Sequence, residues 1–219
     1  MAPVTVFGSA VFANAARVLA CLEEVGAEYQ VVEVDYMAQE HKGVEHLARN
    51  PFGQIPAFQD GDLMLFESRA IAKYVLRKYA KPSQEDLLRE GSLEEAAMVD
   101  VWTEVEAHHY FPAIAPIVYE CVVYPARLGI PPNQEVVDGS LQKLSKVLDV
   151  YEARLSRHAY LAGDFFSLAD LSHFPYTFYF MTTPHASLLD AYPHVKAWWE
   201  RVMERPSVKK TSDGMVLRA

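Results

Sequence analysis

The apolar residues of this chain change their spacing repeatedly up to residue 79 and keep a helical spacing from residue 92 onward. A strand turns alternate side chains to one face, whereas a helix repeats about every 3.6 residues. VTVF (4–7) reads as a short buried strand, and ANAARVLACLEEVG as an amphipathic helix closed by Gly26. EYQVVEVDY (28–36) alternates like a second strand, and EHKGVEHLARN (40–50) reads as a polar helix. IPAFQD and LMLFES are short strands joined by Gly61-Asp62, a hairpin signal. ESRAIAKYVLRKY (67–79) is a helix with Ile71, Val75 and Leu76 on one face. The order β-α-β-α-β-β-α predicts a compact α/β domain over residues 1–80. Its first two strands should be parallel with a right-handed crossover, and its hairpin should add an antiparallel edge.

The polar, Pro82-containing stretch AKPSQEDLLREG marks a linker at 81–91, and residues 92–219 are expected to form an all-α helical-bundle domain. SLEEAAMVDVWTEVEAHHYFPAIAPIVYECVVY reads as one long helix that Pro112 or Pro116 kinks or interrupts. NQEVVDGSLQKLSKVLDVYEARLS is amphipathic, and SLADLSHFPYTFYFMTT is so apolar that it belongs in the middle of the bundle. VKAWWERVMER closes the set. Ligands commonly bind between two such units.

Composition narrows the partners. The formal charge of -9 argues against broad binding to nucleic acid or to an anionic membrane, both of which need concentrated Lys and Arg. No uncharged run approaches a membrane span, and no basic segment precedes the apolar residues near the start. Two cysteines, Cys21 and Cys121, suit a reducing compartment, so a cytoplasmic location is expected. Cys21 falls on the core face of its helix. Glu104 and His108 have a metal-like spacing but no third ligand, so a solvated face is expected and no metal. His158, His173, His185 and His194 show no paired geometry that singles them out. No Ser-His-Asp order, phosphate loop or C-x-x-C pair appears.

The most informative stretch is NPFGQIPAFQDGDLMLFESRAIAKYV. A proline directly before a strand cannot donate to the ladder. A cis bond at Ile55-Pro56 would turn the Ile55 backbone outward to pair with an extended peptide ligand, while an ordinary trans bond at an edge remains the alternative. Glu67-Ser68 opens a helix, where a hydroxyl and an N–H can hold a carboxylate. The order N-P-x-G-Q-I-P … L-x-E-S-R-A-I resembles the glutathione site of the soluble glutathione transferases. FGSAVFANAARV, VDVWTEVEAHHYFPA, YLAGDFFSLADLSHFPY and YPHVKAWWERVMERPSVKK look like the plant phi class, so the resemblance covers nearly the whole chain. Within it, Ser167 and Asp170 form an S-x-x-D capping box.

The resemblance implies a thioredoxin-like first domain, an all-α second domain, a homodimer, and glutathione as co-substrate. It implies that Gln54, Ile55 and Pro56 hold the glutathione backbone and that Glu67 and Ser68 take the γ-glutamyl amine and carboxylate. His41 and Lys42 match the pair that reaches the glycyl carboxylate. Phe52 matches an apolar key to the partner subunit, and Asp100 is a further interface candidate. Phe12, Tyr36, Tyr119 beside Val118, Cys121 and Tyr179 are expected to line the hydrophobic substrate site.

One position departs. The phi pattern Ser-x-Asn-x-x-Arg keeps Asn14 and Arg17 here, but Phe12 stands where the sulfur-facing serine is expected. A hydrogen bond to a charged group contributes roughly 1.5–3 kcal/mol, so its loss would raise the bound thiol's pKa by about 1–2 units. Ser9, Asn14 and the backbone N–H of Ala13 are the candidate replacement donors. The expected activity is conjugation of glutathione to hydrophobic electrophiles, with glutathione-dependent reduction of hydroperoxides as a further activity of the class. The alternative is a non-catalytic carrier of glutathione conjugates or flavonoid-like ligands, which Phe12 favours.

Overall fold

The computed structural model describes residues 3–216. The outermost parts of the expected domains, residues 1–2 and 217–219, lie outside the described residues. Two compact units emerge, one of residues 3–86 with 206–216 and one of residues 87–205.

In the first unit, β1 (Val4–Phe7) leads to α1 (Ala13–Val25), which ends at Gly26 in the left-handed region at φ +61°. β2 (Tyr29–Val32), a short 3-10 turn (Glu40–Lys42) and α2 (Val44–Arg49) follow. β3 (Ala57–Asp60), β4 (Leu63–Phe66) and α3 (Ser68–Tyr79) complete the α/β pattern. The sheet order is β2-β1-β3-β4: β1 and β2 are parallel and β3 and β4 form an antiparallel hairpin, as expected, and β3 runs antiparallel beside β1. β2 is shorter than the alternating stretch 28–36, because β1 offers only four partners, Val4 to Phe7. Phe7, Val34 and Ala57 pack with Ile55 and Met64 on one side of the sheet.

The second unit is helical: α4 (Leu93–Val105), α5 (Phe111–Val118), α6 (Tyr124–Leu128), α7 (Gln134–Leu155), α8 (Leu168–Phe180) and α9 (Pro193–Glu204). The expected interruption by proline takes another form. Helix continues through two widened π turns, Glu106–Tyr110 and Tyr119–Val123, each followed by an aromatic residue and a proline. A proline ring collides with the carbonyl four residues earlier. Those carbonyls belong to His108 for Pro112 and to Cys121 for Pro125, and both residues lie in the widened turns. Widening by one residue moves the carbonyl out of the ring's path.

The capping box at Ser167 is present, and its Asp170 does more than cap. The buried carboxylate accepts from the N–H and hydroxyl of Ser167, both at 3.0 Å, from Leu161 N–H at 3.0 Å and from Trp198 Nε1 at 2.8 Å. Burial pushes its pKa up against these donors, which favour the charged form. Tyr151 hydrogen-bonds His173 Nε2 at 2.8 Å beneath the same helix. Leu87 and Leu88, read from the sequence as linker, are buried, and the Leu87 carbonyl accepts from Leu168 N–H.

The last helix, α10 (Pro206–Ser212), falls in the range assigned by pattern to the helical domain, yet it packs on α1 in the first unit. Its buried Val208 and Thr211, and Met215 just beyond it, face that way. Lys210 and Ser207 bind the Glu23 and Glu24 carboxylates of α1. No helix among the described residues is long and apolar enough to cross a membrane.

Candidate active site

The sheet gathers the chemistry at one end. Phe7 pairs with Val32 at the end of β2 and with Ala57 at the start of β3, and Ala57 pairs with Phe66 at the end of β4. Residues 8–14, 33–36, 54–56 and 67–68 therefore leave the sheet side by side.

Phe12 is the N-cap of α1, with extended backbone (φ -92°, ψ 115°) and no side-chain capping bond. Its N–H donates to the Ser9 carbonyl at 3.1 Å, which closes the turn. The first turn of α1 carries no acidic residue, so its amides favour an external anion. The Phe12 ring lies 6.1 Å from Tyr36 and tilted to it, and Tyr36 stacks on His41 at 4.3 Å and 6°. These three rings make an aromatic wall beside the turn. Ser9, Ala13 and Asn14 are half-buried on the same turn, and Asn14 Oδ1 accepts from Arg17 at 2.9 Å. That bond leaves the Asn14 amide NH2 as its donor.

Arg17 is completely buried, and its Nη1 donates to Ser68 Oγ at 2.7 Å. The bond occupies an acceptor position of the hydroxyl and leaves its proton to donate at the N-terminus of α3. A buried cation behind two helix N-termini favours an anion in front of them. The sequence pattern contains Arg17, but nothing in its spacing reveals a partner 51 residues away.

The loop before β3 is clamped from within. The Gln54 carbonyl accepts from His46 Nε2 at 2.9 Å and Asn50 Nδ2 at 2.8 Å, and Asn50 Oδ1 accepts from Phe52 N–H at 3.1 Å. The Ile55-Pro56 bond is cis. Gly53 has φ +57°, and a Cβ there would meet the His41 carbonyl at 2.7 Å. Only glycine meets both demands. This close approach brings Lys42 over the loop, where its Nζ donates to the Phe52 carbonyl at 3.1 Å, while the His41 ring is buried. The N-P-x-G motif contains Asn50 without revealing its grip on the Gln54 carbonyl, and no local spacing points to His46.

Glu67, the N-cap of α3, is exposed at φ +69° and ψ 101°, a region that is costly for a residue with a side chain. Such strain marks sites where position matters more than local comfort.

In the second unit, Val118 is buried, Tyr119 is exposed and Cys121 is half-buried on the second widened turn. Burial, followed by the Glu120 charge, pushes the Cys121 thiol up, and burial first of all does the same to the enclosed Cys21. Tyr179, expected to line the substrate site, is only 4% exposed and belongs to the helical core. Its place on α8, which is buried nearly all round, explains this. Phe52 is 65% exposed, 6.1 Å from Phe66, and Asp100 is exposed on α4.

Three of the four histidines without evident pairing in the sequence do have partners. His173 meets Tyr151, His194 meets Glu152 at 2.6 Å, and His158 meets Asp164 at 3.6 Å. Glu104 and His108 meet at 3.1 Å on an exposed face. Among the described residues, no group of three or more His, Cys, Asp or Glu is placed to hold a metal ion.

A thioredoxin-type unit with an anion-favouring edge, joined to an all-helical unit, defines the class of protein. The family model for the glutathione S-transferase N-terminal domain matches residues 2–77, and that for the C-terminal domain matches residues 110–206. A probable glutathione S-transferase of rice (Oryza sativa subsp. japonica) is 73% identical over 210 residues, covering 96% of this chain and 95% of its own. Glutathione transferase F7 from Populus trichocarpa is 52% identical, with TM-score 0.93 over 97% of this chain and 99% of that one. Maize glutathione S-transferase I, solved with an atrazine glutathione conjugate, is 56% identical, with TM-score 0.90 over 98% of each chain. The chain belongs to the glutathione transferase family and, within it, to the phi class of plant enzymes.

Proposed function

We propose that this enzyme binds glutathione at the sheet end described above and conjugates it to small hydrophobic electrophiles. The observation that carries the reading is the convergence there of Gln54, Ile55 and Pro56 with Ser68 and the open N-terminus of α1. The resemblance assigns the γ-glutamyl amine to Glu67, its carboxylate to Ser68, the peptide backbone to residues 54–56, and the glycyl carboxylate to His41 and Lys42. The chemistry of each side chain suits that role: an acid for an ammonium, and a hydroxyl backed by buried Arg17 for an anion. The maize relative's conjugate with atrazine supports the same class of electrophile.

In this reading Phe12 replaces the sulfur-facing serine of the class. The glutathione thiol loses its proton to solvent, and the helix N-terminus with Ser9, the Ala13 N–H or the Asn14 amide stabilises the thiolate. The sulfur then forms a bond to the electrophilic carbon as the leaving group departs with its electron pair. Phe12 and Tyr36 supply a flat apolar wall for that electrophile. Weakened activation lowers the thiolate fraction without removing it. The same thiolate would attack an oxygen of an organic hydroperoxide, breaking the O–O bond to release the alcohol and leave a glutathione sulfenic acid, which a second glutathione converts to the disulfide with loss of water. A cytoplasmic homodimer with Phe52 and Asp100 at its interface completes the proposal.

Steady-state conjugation measured beside a glutathione-binding titration tests it. Binding with turnover supports the enzyme reading. Binding without turnover supports the carrier reading, to which the bare Phe12 cap also points.

A further inference from the structure

The turn between β1 and α1 is braced on two faces. On one, Gly8 (φ +124°) lies against Ile55 so closely that a Cβ would strike its Cγ2. On the other, the chain returns from the far end of the sequence. A Cβ at Gly214 would stand 3.0 Å from Ala10 Cβ and 3.5 Å from the Thr211 carbonyl. Gly214 is not in the left-handed region, so close approach, rather than torsion, accounts for glycine there.

This second brace is firmly anchored. Gly214 N–H donates to Thr211 at 3.1 Å and Met215 N–H to Ser212 at 3.0 Å, closing a tight turn after α10. Met215 is fully buried, and Lys210 is tied to Glu23 of α1 at 2.8 Å. Phe12 provides no side-chain cap, and the Phe12-to-Ser9 backbone bond spans residues 9–12. A capping side chain would have tied the first helical turn from inside.

We propose that residues 211–215 form a positioning brace for the 9–12 turn, acting through the contact between Gly214 and Ala10. Gly214 is then a positioning residue that touches no substrate. It holds the amides at the start of α1 where the glutathione sulfur is stabilised, a role that rests on the function proposed above.

Gly214→Val, Gly214→Ala and the double variant Ala10→Gly/Gly214→Val test the brace. Amide hydrogen exchange reads the 9–12 turn, and bound-thiolate absorbance across pH reads its effect on glutathione. Gly214→Val should speed exchange in that segment by about tenfold while the rest of the sheet stays protected. It should also move the thiolate titration upward by about half a pH unit or more, so that lost kcat/KM returns at high pH. Removing the Ala10 methyl in the double variant should restore most of both. If Gly214→Val does not fold, Gly214→Ala carries the same comparison with a smaller shift. Unchanged exchange and titration in the folded variants would overturn the brace. Failure of the wild-type enzyme to bind glutathione would instead overturn the proposed function, and the exchange measurement would still decide the brace.

Discussion

Arg17 Nη1 donates to Ser68 Oγ at 2.7 Å, so the first residue of α3 is tied to the interior of α1 by a guanidinium that solvent does not reach. The same nitrogen holds Asn14. Lysine would place a compact, strongly hydrated ammonium where a planar, weakly hydrated guanidinium now sits, and burying it costs more. Arg17→Lys should therefore destabilise the protein by about 2–4 kcal/mol and weaken glutathione binding. Denaturant unfolding and a glutathione titration check the two effects separately.

Glu67 separates binding from stability. Its strained backbone costs about 1–3 kcal/mol, and glycine removes that strain while adding freedom to the unfolded chain. Glu67→Gly should leave the unfolding free energy within about 1 kcal/mol of the original and cost about 1.5–3 kcal/mol in glutathione affinity. Affinity that survives the change would show that the γ-glutamyl amine is held elsewhere.

The bare cap of α1 leads to a pH-dependent expectation. Phe12→Ser should lower the pKa of bound glutathione by about 1–2 units and raise its thiolate fraction by up to about tenfold at neutral pH. The gain should shrink as pH rises above the original thiol pKa, where both proteins hold thiolate. Superimposed absorbance titrations would mean that Ser9, Ala13 or Asn14 already does the work.

Asp60 governs acid stability at the hairpin. Its Oδ2 accepts from Lys78 at 2.6 Å, Tyr79 at 2.6 Å and Tyr74 at 2.8 Å. Burial raises its pKa, but the donors outweigh burial and hold it below the ordinary carboxylate range. A depressed folded-state pKa contributes stability that is present above the unfolded value, about 3.9, and is lost as pH falls through the folded value. Asp60→Asn should cost about 1 kcal/mol near neutrality, with the difference from the original protein closing below about pH 4. Thermal melts at a series of pH values give this curve directly.

Phe52 projects from the loop with two thirds of its surface exposed, an unusual position for a phenylalanine without a partner surface. Phe52→Ser should loosen the proposed homodimer by about tenfold or more in Kd, measured by sedimentation over a dilution series. An equally tight dimer would remove Phe52 from the interface.

Local rules made much of this molecule legible. Gly26 stops α1, Gly61-Asp62 turns the hairpin, and Ser167 with Asp170 starts α8, each through contacts within a few residues. The gathering of residues 54–56 and 67–68 follows from strand order, of which the parallel first pair and the hairpin were legible and the pairing of β1 with β3 was not. What escaped the sequence depends on distant partners. The length of β2 is set by β1, and the Asp170 carboxylate is shared with Trp198, 28 residues away. The widened turns before Pro112 and Pro125 were hidden for another reason: proline marks a conflict without saying whether the helix will break or stretch.

The first unit is discontinuous in sequence, and this bears on the order in which the protein is made. Residues 3–86 emerge from the ribosome long before residues 206–216, with all of the helical unit synthesised in between. During that interval the face of α1 that α10 will cover has no native partner. The nascent α/β unit must then wait, with its 9–12 turn still unbraced, until the whole helical unit has been made.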